Sequence, residues 1–206
     1  EQNPAPAPYA DGLSARLTQS RPWLGTYENL DALCASIDMA RNKIYISSQY
    51  LALPPKISQA LSAAAGRGVD IRILTNSFQT GREINLALGH FISLNYYDDL
   101  LSSGVKIYEY LSPRGINLKP YYHTKQFIFD GSYLVLGSFN LSIRSSYLES
   151  ELTLALPDPG LAGLQEIKFL SELENNARRI TPEDLEENEK EHGFLMDVAR
   201  RLEILY

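Results

Sequence analysis

Apolar positions recur at helical spacing across residues 27–40, where Leu30, Leu33, Cys34 and Ile37 share one face, and this predicts a helix with a buried stripe. A short β-type run, Ile44-Tyr45-Ile46, follows it, and Pro54-Pro55 closes that unit and opens the next helix. The alanine- and leucine-rich stretch 57–65 is that helix. Gly66-Arg67-Gly68 stops it, and Val69-Asp70-Ile71-Arg72-Ile73-Leu74 alternates as a strand before Thr75-Asn76-Ser77. The rhythm then repeats, with a helix over 96–101, a stop at Gly104 and a strand over 105–110.

Residues 126–137 form two β-rich runs around Asp130-Gly131, a strong hairpin signal. One more strand is expected at 152–156, closed by Pro157 and Pro159. From Leu161 onward the pattern is helical, and the acidic run 183–189 reads as a solvated helix face. Strands separated by helices of this length predict an α/β sandwich with a mixed β-sheet flanked by helices. The alternating prolines Pro4, Pro6 and Pro8 block helix, so residues 1–20 are expected to be an extended linker. A catalytic domain over 21–160 and a helical extension over 161–206 complete the expected organisation.

Composition narrows the function. The 206 residues, 44% hydrophobic and 21% charged, suit one globular domain with a sizeable core. A net charge of -6 and a pI near 5.1 argue against a broad basic surface for nucleic acid. The single cysteine, Cys34, forms no internal disulfide and is expected to pack as a small hydrophobe. No stretch approaches the roughly 18 apolar residues of a membrane-spanning helix. The sequence opens on Glu1 instead of a start methionine, so a processed or truncated chain is expected, with any targeting segment upstream.

The chemistry concentrates in one stretch. His123-Thr124-Lys125 precedes Asp130 by four residues, and six more lead to Gly137-Ser138-Phe139-Asn140. Side chains two apart on a strand point the same way, which puts His123 and Lys125 on one face. Ser138 and Asn140 likewise share a face, and the hairpin returns them beside the first pair. A nucleophile candidate, a cation and two neutral donors then converge on one spot, which suits attack on a phosphodiester with stabilisation of its non-bridging oxygens. Asp130, at the turn, is expected to be mainly structural. Glu151 is the expected carboxylate partner of His123. One His beside a Lys is a poor metal site, so no metal and no cofactor are expected. Asn76, at a strand end, is equally readable as a pocket residue or a turn residue.

This pattern resembles the phospholipase D superfamily motif. The resemblance spans roughly residues 40–156 and is nearest to the second half of bacterial cardiolipin synthases and related phosphatidyltransferases. It is carried by Ile46-Ser47-Ser48-Gln49-Tyr50, by 64–77, by His90 with Tyr96, by 100–109, and by Gly137 to Leu141 leading to Arg144-Ser145, Tyr147-Leu148 and Glu151. The chain departs from those relatives at Ser142-Ile143, where they carry Asp-Pro, and at Tyr122, where they carry leucine.

The resemblance implies two-step transfer on a glycerophospholipid through a phosphohistidine, with two such motifs meeting at one site. Neither His90 nor His192 is followed by a lysine two residues on, so a second motif is absent from this chain. The expected partners are a phospholipid substrate, a membrane surface and a second motif-bearing half, supplied upstream in the same protein or by a homodimer mate. A bacterial, peripherally membrane-associated protein is implied. The competing readings are a homodimeric nuclease of the same superfamily and a catalytically incomplete half-domain.

Overall fold

The computed structural model describes residues 14–80, 84–111 and 121–205. In chain order its elements are β1 (Arg16–Ser20), α1 (Glu28–Met39), β2 (Lys43–Ser47), α2 (Pro55–Gly66), β3 (Asp70–Asn76), α3 (Ile84–Leu94), α4 (Tyr97–Ser102) and β4 (Lys106–Tyr110). They continue with β5 (Gln126–Phe129), β6 (Tyr133–Gly137), α5 (Ile143–Tyr147), β7 (Glu151–Leu156), α6 (Pro159–Asn176), β8 (Ala177–Arg179) and α7 (Pro182–Arg201). The strands make one mixed sheet in the order β1-β7-β6-β5-β2-β3-β4-β8. Pairing is parallel for β2 with β3 and β3 with β4, and antiparallel elsewhere.

Strand alternation decides which side each residue joins. Ile44, Ile46, Ile71, Ile73, Ile107, Phe127 and Phe129 face a core shared with α1, α2, α3, α4 and α7. Tyr45, Leu74, Tyr110, Ile128 and Leu134 face the other side, where α6 covers them with Ala162, Phe169 and Leu173. Cys34 lies 6% exposed in the first core, as its helical position predicts. The central strands are buried on both faces, which is why their sequences read as near-continuous apolar runs.

Three expectations needed revision. Arg16–Ser20 is a strand paired with β7, so an extended linker does not run to residue 20. Its Thr18 and Ser20 are buried, and polar side chains on an edge strand carry little hydrophobic signal. The segment beyond residue 160 is no appendage. α6 covers one sheet face, β8 pairs with β4, and Met196 and Ala199 of α7 enter the main core. Finally, His123 and Lys125 lie outside the ladder, because β5 begins at Gln126.

Two residues of the motif serve the fold. Asp130 holds a positive φ of 52° in the β5–β6 turn. Its carboxylate accepts from the backbone N–H groups of Arg41 at 3.0 Å, Asn42 at 2.8 Å and Lys43 at 2.9 Å. Burial pushes its pKa up, but the N–H donors of Lys43, Arg41 and Asn42 prevail and hold it below the usual carboxylate range. Gly137 is required for another reason. A Cβ there would lie 2.2 Å from the Leu152 carbonyl oxygen and 2.8 Å from Thr153 Cα, so only glycine lets β6 and β7 approach.

The ionised Asp130 should stabilise the fold above the ordinary carboxylate range, and that contribution should fade as pH falls through its lowered pKa. Asp130→Ala is expected to cost about 2 kcal/mol at neutral pH and markedly less in acid. Urea unfolding at the two pH values checks this, and equal stabilities at neutral pH would refute it.

Candidate functional site

The site forms along one edge of the sheet, because of strand direction. The carboxyl ends of β2 and β3, the amino end of β5, the carboxyl end of β6 and the amino end of β7 all point the same way. Crevices at the carboxyl ends of parallel strands are common ligand sites in α/β folds.

The loop before β5 is clamped from β3. Asn76 donates from Nδ2 to the Tyr122 carbonyl at 2.7 Å and to the Gln49 carbonyl at 2.8 Å, while its Oδ1 accepts from Tyr122 N–H at 2.8 Å. Tyr122 donates from its hydroxyl to Ser47 Oγ at 2.8 Å, and its ring packs 5.0 Å from Tyr110. Gln49 ties two neighbours together, donating to the Tyr121 hydroxyl at 2.6 Å and accepting from Lys125 Nζ at 3.1 Å. Tyr122, beside His123, and Lys125 itself are thus held by Asn76 and Gln49, 46 and 76 positions away in the chain.

His123 is exposed, with its ring 6.0 Å from that of Tyr121. Partial desolvation and the positive charge of Lys125 lower its pKa below the ordinary value of 6.5, so the imidazole is neutral at neutral pH. Desolvation lowers Lys125 to about 8 against the opposing pull of the Glu151 carboxylate. Neutral imidazole beside a still largely charged ammonium is the protonation pattern a nitrogen nucleophile needs at a phosphate.

The structure places Glu151 differently from expectation. Its two carboxylate oxygens accept from the hydroxyls of Ser138 and, at 2.5 Å, Ser145, so Glu151 does not hold His123. Ser145 was legible only as part of the resemblance, yet it is 1% exposed and directly on the carboxylate. Ser138 Oγ also accepts from Leu152 N–H at 3.0 Å, so its proton is committed to Glu151 and it is not a free donor. Asn140 is buried, and its Oδ1 has no hydrogen-bond partner among the described residues. Ser142 accepts from Ser145 N–H at 3.1 Å and caps α5, supplying the N-cap oxygen. The Glu151 backbone is held in turn by Asn29 Nδ2 at 2.8 Å, within a buried Thr18–Asn29–Thr153 cluster that includes the unexpected strand β1.

His123, Lys125, Ser138, Asn140 and Glu151 therefore gather at one sheet edge, whereas Asp130 sits at the opposite end of the β5–β6 hairpin. Asn76 and Gln49 are positioning residues. A strand-end asparagine was visible in the sequence, but its partner Tyr122 was not. Among the described residues no group of three or more His, Cys, Asp or Glu side chains is arranged to hold a metal ion, and no helix is long and apolar enough to cross a membrane.

Fold and site together define an α/β protein of the phospholipase D class. Residues 33–179 match the family model described as "Cardiolipin synthase, PLD-like domain", and the chain belongs to that family. It is 29% identical over 170 residues to cardiolipin synthase A of Erwinia tasmaniensis and 32% identical over 171 residues to that of Cronobacter sakazakii. These alignments cover 81% and 82% of this chain but 32% of each synthase, so the chain spans about a third of their length. Among solved structures, phosphatidylserine synthase of Haemophilus influenzae superposes with a TM-score of 0.68 at 14% identity, over 96% of this chain and 49% of that one. Nuc of Salmonella typhimurium superposes with a TM-score of 0.61 at 24% identity, over 82% and 99%. Both share the fold.

The electrostatics make a direct prediction. In an NMR titration His123 should protonate below its ordinary 6.5, and Lys125→Met should raise that pKa only partway, since desolvation is the larger cause. A His123 that titrates above 6.5 in the unaltered chain would contradict it.

Proposed function

We propose that this domain supplies one half of a phosphatidyltransferase or phosphodiesterase site acting on glycerophospholipids, like the synthases it matches. The observation that carries the reading is His123 beside the Gln49-bound Lys125 at the sheet edge, with the Ser138–Glu151–Ser145 cluster at the same edge. In the first step a His123 nitrogen attacks phosphorus and the bond to the leaving alcohol breaks, giving a phosphohistidine. Lys125 offsets the charge that develops on the non-bridging oxygens. The leaving alkoxide takes a proton from a general acid on the second half of the site. An acceptor alcohol, or water, then attacks phosphorus and gives its proton to the base left on the second half of the site, the P–N bond breaks and His123 is restored.

The second motif belongs to another part of a longer protein or to a partner chain. Support for this lies in the chain's span of about a third of the synthases, together with its single His-x-Lys pattern. The net charge of -6 favours lipid over nucleic acid as substrate.

Replacing His123 with Ala in the full-length protein should reduce transfer from labelled phosphatidylglycerol by on the order of 10⁴-fold or more, since covalent catalysis is lost outright. Lys125→Met should cost on the order of 10²–10³-fold through lost charge stabilisation. Unchanged turnover in His123→Ala would sink the mechanism.

A further inference from the structure

Glu151 stands where motif and fold meet. Its carboxylate takes the hydroxyls of Ser138 and Ser145, and its negative charge acts on Lys125. Ser145 Oγ also accepts from Asn140 N–H at 3.3 Å. Displacing this one carboxylate therefore disturbs Ser138, Lys125 and Asn140 together. Yet Glu151 is the first residue of β7, and the register with β6 reaches back only to Thr153, opposite Gly137. Its position has to be fixed from elsewhere.

The first helix and the edge strand do this. Asn29, at the second position of α1, donates from Nδ2 to the Glu151 carbonyl at 2.8 Å. Its Oδ1 accepts from the hydroxyls of Thr18 at 2.7 Å and Thr153 at 3.0 Å, and those two hydroxyls lie 2.6 Å apart. The Asn29 backbone N–H, which the first turn of a helix leaves without an intrahelical acceptor, donates to Ser20 Oγ at 3.0 Å. Ser20 pairs with Glu151 in the β1–β7 ladder, and its carbonyl accepts from Ser150 Oγ at 3.1 Å.

Thr18, Ser20, Asn29 and Thr153 are each 6% exposed or less, and each side chain is hydrogen-bonded. A buried polar cluster with its partners in place holds one arrangement of its members, whereas apolar side chains of the same volume pack without fixing a direction. An amide is the group this geometry calls for, because one planar side chain must donate to a carbonyl and accept from two hydroxyls. A carboxylate would lack the donor. Thr18, Ser20 and Asn29 also lie outside residues 33–179, which match the family model, and outside the motif.

We propose that Asn29 is a positioning residue of the site and acts through Glu151. By holding the Glu151 main chain from α1, it fixes where the carboxylate meets Ser138 and Ser145 and how closely its charge stands to Lys125. The effect on transfer rests on the function proposed above. The effect on Lys125 does not.

Two variants test this. Asn29→Ala removes the donor, and the triple replacement Thr18→Val, Asn29→Leu and Thr153→Val exchanges the whole cluster for apolar groups of similar shape, which keeps the packing while releasing Glu151. In the full-length protein each is expected to lower kcat for transfer from labelled phosphatidylglycerol by about tenfold with KM unchanged, because placement is lost and substrate binding is not. On a Glu151→Gln background the same replacements should cost less than about twofold, since the charge they act through is already gone. In an NMR titration of this chain each should lower the Lys125 pKa, as Glu151→Gln does, with no further fall when the two are combined. A folded variant in which either kcat or the Lys125 pKa is unchanged would overturn the proposal. Losses as large on Glu151→Gln as on the unaltered background, or failure of both variants to fold, would mark the cluster as merely structural and overturn it too. Full-length protein that transfers nothing before any replacement would refute the proposed function, and the Lys125 titration would then decide the role of Asn29 alone.

Discussion

The antiparallel pairing of β2 with β5 is the junction on which the site depends. It joins a parallel βα half, β2 with β3 and β4, to an antiparallel half made of β5, β6, β7 and β1. With Ile44 opposite Phe129 and Ser47 opposite Gln126, the end of β2 meets the beginning of β5, and a one-residue slip would exchange the two faces of both strands. Asp130 secures one end of this pairing by collecting the N–H groups that precede and open β2. Gln49 and Asn76 secure the other, where His123 and Lys125 emerge. The acid of the motif and its histidine therefore act at opposite ends of the same junction.

At the working end, polar groups are divided between holding and reacting. Asn76, Gln49, Ser142 and Ser145 are all engaged in orienting backbone or other side chains. Glu151 binds two hydroxyls and adds a negative charge that acts on Lys125. His123 is exposed beside that lysine, with its ring against Tyr121.

Hydrophobic periodicity was sufficient for the mixed α/β class, for the core strands and for the hairpin at Asp130-Gly131, because burial on both sheet faces leaves a local and repetitive mark. The spacing of His123, Lys125, Gly137, Ser138 and Asn140 made the candidate site legible for the same reason, since the motif is short and continuous. Strand β1 left no such mark, for its buried positions are Thr18 and Ser20. Strand β8 is three residues long and joins the sheet only through its contact with β4. The contacts of Glu151 with Ser138 and Ser145 and the clamp by Asn76 on Tyr122 join residues that do not adjoin in the chain. Long-range hydrogen bonds leave no period in the sequence, so they became visible only once the sheet brought its strand ends together.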